Sequence, residues 1–446
     1  MKIVPPPERI PNPFKQIPKD LLDDYVALAS PIDEQGRYLH YDEVRFRLPK
    51  GIDIDLGWSV IKLARQRQLN DLVQLGETKH ECGFFLTPTI QKAISETDRH
   101  ATDAALKWML SQIGEQKHLE YLFNDLVQDE AISSSQMEGA ATTTKIARKI
   151  IQRQRQPRTI DEKMILGNFK MMNFAWQNRD KDLSLDLILD LHRIGVDTIN
   201  DEHYNPGILR KTDSVVVVDE RNNVLHTPPP AAGLTKRLED LVKWTNADHH
   251  DSSSKQYIHP LIKAITLHFA IGYEHPFKDG NGRVARSLFY WYMFKNDFAA
   301  FRFIAISVLL KTAHVRYGKS YLYTETDEMD LTYFIEYQCT IIIRAIKAFK
   351  DAHKQVFKAM ESFNQWLWDS GLYQRLSENQ KIVFQVAKNG KASYFTATNV
   401  QENLGCSYNT AAKVLNGLVE LDLFKKEKQG REWLYSMLET HKIQKS

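Results

Sequence analysis

The amino-acid sequence predicts a mainly α-helical chain with a lone β-hairpin near its middle and a compact unit of three short helices and a hairpin at its C-terminal end. Three observations lead there. Apolar residues recur three and four apart from about residue 96 onward, the spacing of a buried helix face. The four consecutive valines Val215, Val216, Val217 and Val218, followed by a polar turn at Asn222 and Asn223 and by Val224 and Leu225, stand alone as a strand-turn-strand signal. Beyond residue 376 the pattern breaks into three short helical stretches, and KKEKQGREWLY then reads as a charged hairpin with Gly430 at its tip.

Composition sets the frame for these elements. A chain of 446 residues exceeds what one core usually supports, and with 43% hydrophobic and 11% aromatic residues it can bury real cores. The organisation reads as residues 1–95, of uncertain role, a helical region over 96–200, a central core over 201–370 and a C-terminal unit over 371–446. A formal net charge of +3 argues by itself for neither nucleic acid nor membrane, so local patches must carry any such claim. Cys82, Cys339 and Cys406 lie far apart, without CxxC pairs or a His/Cys spacing suited to zinc, which predicts a reduced compartment. MKIVPPPERIPNPF lacks the apolar stretch of a signal peptide, and no segment runs about 18 apolar residues. The expectation is a soluble, cytoplasmic protein without membrane contact.

In chain order, the first region opens with a proline-rich arm, and GRYLHYDEVRFRLPKG (36–51) alternates enough to be a hairpin strand or two. The second is helical through Leu106, Met109, Leu110, Ile113 and then Leu119, Leu122, Phe123, Leu126, and is broken by IQRQRQPR (151–158), read as a loop. PLIKAITLHFAIGYEHP reads as a helix through Ile262, Ile265, Phe269 and Tyr273 that cannot run far past Pro276, so His275 sits at a helix exit. GRVARSLFYWYMF restarts a helix with Leu288, Phe289 and Tyr292 on its buried face, which puts Gly280, Asn281 and Gly282 at its start. DLTYFIEYQCTIIIRAIKAFKDAHKQVFKAM gives one long helix whose apolar side carries Phe334, Ile335, Ile341, Ile342, Ala345, Ile346 and Phe349.

The chemistry concentrates between His275 and Arg286. A helix start offers unpaired N–H groups and the positive end of the dipole, and flanking glycines let a phosphate approach the backbone. Arg283 and Arg286, three apart, project near one another and can each grip phosphate oxygens. Asp279 adds a hard oxygen of the kind magnesium prefers, and His275 can take a proton at neutral pH. Two other phosphate signatures compete. GNGRVA fits the dinucleotide fingerprint G-x-G-x-x-G/A but follows a helix and a proline where that motif needs a strand. RYGKSY (316–321) resembles the end of a Walker loop, yet Ala313 stands where its first glycine is required.

HPFKDGNGRVAR, from His275 to Arg286, matches the Fic-domain signature HPFx[DE]GNGRxxR at every fixed position, and the chain resembles the Fic family on that ground. The resemblance implies a helical Fic core and transfer of AMP from ATP, with Mg2+, to a Ser, Thr or Tyr hydroxyl of a target protein. It implies His275 as general base, Phe277 as the anchor of the loop and Asp279 as the metal ligand. Gly280, Asn281, Gly282 and Arg283 would hold phosphates, and Arg286 the γ-phosphate. Retention of the acid at 279 favours AMP over other transferred groups.

SSSQMEG (133–139) resembles the family's inhibitory pattern [ST]xxxE[GN], with Ser134, Glu138 and Gly139 at the fixed positions. That implies a brake: the Glu138 carboxylate pairs with Arg286 and removes its charge from ATP. The same glutamate could also position water to remove AMP from a modified target. In this family a hairpin near Val215 to Val218 is a flap that aligns the target by strand addition. The C-terminal unit has the element order of a winged helix-turn-helix, with Ser407 to Leu421 as recognition helix and Cys406 near the turn. Ten Lys/Arg against seven Asp/Glu over residues 376–446 give a modest basic footprint, and DNA binding, protein docking and homodimer formation all remain open for it. Two functions follow: an autoinhibited AMP-transferring enzyme, or a nucleotide-sensing DNA-binding regulator. The complete motif with His275 favours the enzyme, since a sensor needs no base.

Overall fold

The computed structural model describes residues 2–111, 116–153, 156–197, 199, 204–219, 221–249, 257–390, 392–429 and 432–438. The fold is mainly α. Among the described residues the strands form three separate two-stranded antiparallel hairpins. Gly430 and Ile113 of the expected elements lie outside the described residues, as do the side chains of Leu110, Leu119, Leu122 and Phe123. None of the described helices is long and apolar enough to cross a membrane.

The hairpin expected at 36–51 is not there. That stretch holds the short helix Tyr41–Val44, whose first turn is capped by His40: its Nδ1 accepts from the Asp42 N–H at 3.1 Å. The alternation misleads because Tyr38 and His40 turn inward singly, His40 stacking on Tyr323 (4.2 Å between centroids) and Tyr38 meeting Tyr333 edge-on. The first hairpin lies downstream, pairing Asn70–Leu75 with His80–Phe84. Between them the helix Ile54–Gln66 buries two cations. Lys62 Nζ lies 2.8 Å from Asp327 Oδ1, and Arg65 donates to Tyr333 Oη and to the carbonyls of Pro31 and Leu39. The N-terminal region is thereby fastened to the residues ahead of the long helix Thr332–Asp369.

The centre is the helix Asn281–Lys295, buried on every side from Val284 to Phe294 where one face had been expected. It is enclosed by the helices Pro260–Glu274, Ile160–Gln177, Leu185–Val196 and Gln116–Met137. Gly167 and Gly195 bring two of these together: a Cβ on Gly167 would stand 2.3 Å from the Gly195 carbonyl oxygen. The expected loop at 151–158 begins later than read, because Ile151 to Arg153 close the helix Thr144–Arg153, whose stripe of Ala147, Ile150 and Ile151 is buried.

The C-terminal unit comprises the helices Glu378–Lys388, Ala397–Leu404 and Tyr408–Glu420 and the strands Phe424–Gln429 and Glu432–Met437, with Phe395 bridging to Tyr435 beside them. Ser377, Thr396 and Ser407 cap the three helices with side-chain oxygens. One continuous apolar cluster runs from Leu72 to Met437, so the regions 96–200, 201–370 and 371–446 share a core.

Candidate active site

The helix Pro260–Glu274 ends where Pro276 requires it to, and His275 forms its C-cap at φ 46°, ψ 60°, a left-handed conformation rare outside glycine. The chain then turns through Phe277 to Gly280, the N-cap of the next helix at φ 83°. Asn281 closes this loop. Its Oδ1 accepts from the Phe277 N–H and its Nδ2 donates to the Phe277 carbonyl, each at 2.9 Å. The side chain expected to hold phosphate is therefore spent on the loop, leaving the backbone N–H of Asn281 for an anion.

Phe277 is fully buried and stacks on His192 at 3.8 Å between centroids. The Gly207 N–H donates to His192 Nδ1, so Nε2 carries the proton and donates to the Asp279 carbonyl; both bonds measure 3.0 Å. Burial pushes this imidazole down to about 4, which keeps it neutral in that tautomer. His192 thus fixes the loop from behind. Arg210 fixes it from the other side, donating through Nε to the His275 carbonyl at 2.9 Å, while its backbone N–H donates to the Pro276 carbonyl at 2.8 Å.

His275 Nδ1 lies 3.2 Å from the Gly272 carbonyl, which can only accept, so Nδ1 carries the proton and Nε2 keeps a lone pair. Burial pushes the imidazole down to about 4, so the free base is the resident form at neutral pH. Asp279 is half-buried, and its Oδ1 accepts from the Gly280 N–H. Among the described residues no group of three His, Cys, Asp or Glu could cage a metal. A single carboxylate is nevertheless the donor set that fits a magnesium ion carried in on phosphates.

The two arginines differ. Arg283 is fully buried, donates through Nη1 to the Gly195 carbonyl at 3.2 Å, and among the described residues has no hydrogen-bond partner for Nε or Nη2. Arg286 is equally buried but better partnered: Nε donates to Ser134 Oγ at 2.7 Å, and Nη2 to the Ser134 carbonyl at 3.0 Å and to Glu138 Oε1 at 2.8 Å. Ser134 lies in the last turn of the helix Gln116–Met137 and Glu138 follows that helix, with Gly139 beyond at φ 97°. Burial alone would raise the Glu138 carboxyl; the Arg286 charge and hydrogen bond outweigh it and hold it below the usual carboxylate range. The carboxylate lies directly over the helix start. A Cβ on Gly282 would meet Glu138 Oε1 at 2.2 Å. The helix is held in place farther back by Glu130, whose Oε2 accepts from the Ser307 N–H at 2.8 Å.

Some of these groups line a cavity of about 1190 Å3. His275, Gly282, Arg286 and Glu138 form one wall, Val217, Val218 and Leu225 a second, and Tyr317, Tyr321 and Glu325 a third, with Lys2 also at the lining. The expected flap is shorter than read. Val217–Val218 pairs with Val224–His226, whereas Val215 and Val216 precede the ladder, which ends early because Asp219 Oδ1 takes the N–H groups of Arg221 and Asn223. Val216, Val218 and Val224 are 40%, 45% and 58% exposed, an apolar strand edge beside the cavity. RYGKSY lies inside the helix His314–Thr326, so it forms no phosphate loop.

His192, Arg210, His226 and Glu325 were not singled out in the sequence. His192 was hidden as one more position in the buried stripe of Leu187, Ile188 and Leu191. Arg210 carries no periodic signal, and its value lies in three backbone carbonyls that only the fold brings together.

The site is a glycine-flanked helix start with a neutral histidine at its rim. Residues 182–293 match the model of the Fic/DOC family. The match begins ahead of the central core expected at 201–370 and takes in His192. Among curated proteins, the chain is 27% identical over 164 residues to protein adenylyltransferase Fic of Nematostella vectensis, covering 35% of this chain and 34% of that protein. It is 29% identical over 130 residues to protein adenylyltransferase fic-1 of Caenorhabditis elegans, covering 29% and 23%. The chain thus spans about a third of the length of the first of these relatives and less of the second. Among solved structures, a Fic family protein from Desulfovibrio desulfuricans aligns with a TM-score of 0.48 at 16% identity, covering 79% of this chain and 97% of that one.

Proposed function

We propose that the protein is an adenylyltransferase that moves AMP from ATP to a hydroxyl side chain of a target protein and is held silent by Glu138. The observation that carries this reading is the carboxylate of Glu138 standing over Gly282 at the start of an anion-binding helix, paired with the second arginine of the motif. A carboxylate in that place substitutes for a phosphate.

The chemistry runs as follows. With Glu138 withdrawn, the triphosphate lies along the helix start, on the backbone N–H groups of Asn281 and Gly282 and the guanidiniums of Arg283 and Arg286. Asp279 would hold the magnesium that accompanies it, which supplies charge neutralisation on the phosphates. The target hydroxyl attacks the α-phosphorus in line, the new oxygen–phosphorus bond forms, and the bond to the β-phosphate oxygen breaks to release pyrophosphate. His275 Nε2 takes the hydroxyl proton. The exposed strand edge at Val217–Val218 gives a target segment a backbone to pair with, and Phe277 keeps the loop rigid from beneath.

Support for the C-terminal unit as a winged helix-turn-helix is its order of three helices and a hairpin. Its recognition helix exposes Tyr408, Asn409, Thr410 and Lys413, and its wing exposes Lys425, Lys428 and Trp433. That surface suits a nucleic-acid backbone more than an apolar partner.

Transfer of label from ATP labelled at the α-phosphate, with magnesium and host lysate, tests the enzyme reading. Label on protein with Glu138→Gly and little with the unaltered chain is expected. Absence of label in both, with ATP bound in a titration, would move the function to nucleotide sensing.

A further inference from the structure

We propose that His226 and Glu325 form a charged pin that registers the flap against the catalytic histidine, making them positioning residues for the transfer described above. His226 ends the second flap strand, opposite Val217, and is 8% exposed. Its Nδ1 lies 2.7 Å from Glu325 Oε2, on the helix His314–Thr326. Its Nε2 lies 2.8 Å from the carbonyl of Tyr273, two residues before His275. One ring therefore joins three elements: the flap, the wall of the cavity and the turn that presents the base.

Hydrogen-bond bookkeeping fixes the charge of this ring. A carbonyl only accepts, and an ionised carboxylate only accepts, so both ring nitrogens must carry protons and His226 is an imidazolium. Burial alone would lower its pKa; the hydrogen bond and charge of Glu325 outweigh it and raise it. Glu325 Oε1 is buried and without a hydrogen-bond partner, so His226 is what keeps that carboxylate compensated. His275 is in the opposite state, a neutral ring with a free Nε2. The cavity thus holds two imidazoles of different charge in fixed places.

The pin does two things that the signature residues do not. It ties the exposed edge of Val217–Val218 to the turn that carries His275, so a target segment added to that edge is delivered in register with Nε2. Its positive charge also disfavours a second proton on His275, whose pKa is lowered by burial first and by His226 and Arg210 among the nearby charges. The charged and titratable groups facing the pair are Glu274, Tyr273 and His275 from the helix end and Tyr321 from the cavity wall, with Glu138 and Arg210 acting on His275. A raised folded pKa means the pin contributes fully below the unfolded histidine value and is lost as pH rises through the folded one.

The inference rests on the transfer reading, and the test separates the two. In a Glu138→Gly background, His226→Gln and Glu325→Gln are compared with the parent by histidine NMR titration, amide exchange at the flap, ATP titration and α-phosphate label transfer against pH. In the parent, His226 should be protonated at pH 7 and His275 neutral. In His226→Gln the His275 pKa should rise by about one unit, flap amides at 217, 218 and 224–226 should exchange about tenfold faster, and ATP affinity should change less than about twofold. The acid limb of label transfer should move to higher pH with the His275 pKa. Glu325→Gln keeps the shape of the carboxylate and should let His226 lose its proton near neutrality; it decides the matter if His226→Gln does not fold. A neutral His226 at pH 7, or an unmoved His275 pKa with unchanged flap exchange, overturns the pin. Absence of label in the parent sinks the transfer reading while the NMR and exchange results still judge the pin.

Discussion

Arg283 and Arg286 sit one helical turn apart, 0% and 1% exposed, and face opposite circumstances. Arg286 has three hydrogen bonds to the segment that ends the helix Gln116–Met137, whereas Arg283 has one, with two of its nitrogens unpartnered. Their pKa directions follow: burial lowers both, but only at Arg286 does the Glu138 charge reverse the outcome. An unpartnered buried guanidinium is unfavourable, and a fold retains one where something else completes it. On the proposed reading the difference makes the brake partial: Glu138 pairs with Arg286 and leaves Arg283 for an anion, so nucleotide would still bind with its phosphate chain kept from the productive place.

The largest effect belongs to the base. With the brake removed by Glu138→Gly, adding His275→Ala should lower α-phosphate label transfer by roughly 100- to 10,000-fold, the range for a positioned general base. Retention of full transfer would mean that both arginines serve a reaction in which His275 has no part. Next comes the brake itself. A charge-assisted hydrogen bond contributes about 1.5–3 kcal/mol, so Glu138→Gly alone should raise transfer by roughly 10- to 100-fold. Equal rates would show that Glu138 does not compete with the phosphates for Arg286. The pH dependence has a definite sign. The lowered Glu138 pKa means the Glu138–Arg286 contact is intact above the unfolded carboxyl value and is lost as pH falls through the folded one.

Much of this was legible. Pro276 and the two glycines around Asn281 dictate a helix stop and restart, and the structure places both within a residue of where those residues require them. Ser134 and Glu138, remote in the sequence, meet Arg286. What was not legible depends on tertiary partners. Asn281 looks like a ligand in the sequence and is instead the clasp of its own loop, because only the fold shows Phe277's two backbone groups within reach. Residues 36–51 alternate like a strand, but Tyr38 and His40 are drawn inward by aromatic rings more than 280 positions away. His226 reads as a strand end before prolines; the carboxylate that charges it is 99 residues downstream.

The contrast between the arginines sharpens in stability. Arg286→Met removes the partner of Ser134 and Glu138 and should destabilise the free protein by about 1–3 kcal/mol. Arg283→Met removes a buried charge with one hydrogen bond among the described residues, and should leave the melting temperature unchanged or raise it. Addition of ATP reverses the ranking: the Arg283 variant should lose most of the thermal shift that nucleotide gives the unaltered chain. Calorimetry with and without ATP checks both, and a fall in stability for both variants would show that Arg283 is satisfied by something other than its ligand.

The smallest effect concerns cations in the open. Lys425 on the wing is 51% exposed in its side chain and pairs with Glu427 at 2.7 Å, so it has neither the burial nor the orphaned donors that make Arg283 demanding. If the wing lies along a nucleic-acid backbone, Lys425→Glu should weaken duplex DNA binding uniformly across sequences and lower the salt dependence by about one phosphate contact. Gel shifts over a salt series read this directly. An unchanged slope would remove Lys425 from the contact, and binding that ignores salt altogether would assign the exposed Tyr408 and Trp433 to a protein partner. On the proposed reading the two kinds of cation part company: the wing should tolerate loss of one charge, because exposed charges act additively and weakly, while loss of either buried arginine should change what the site binds.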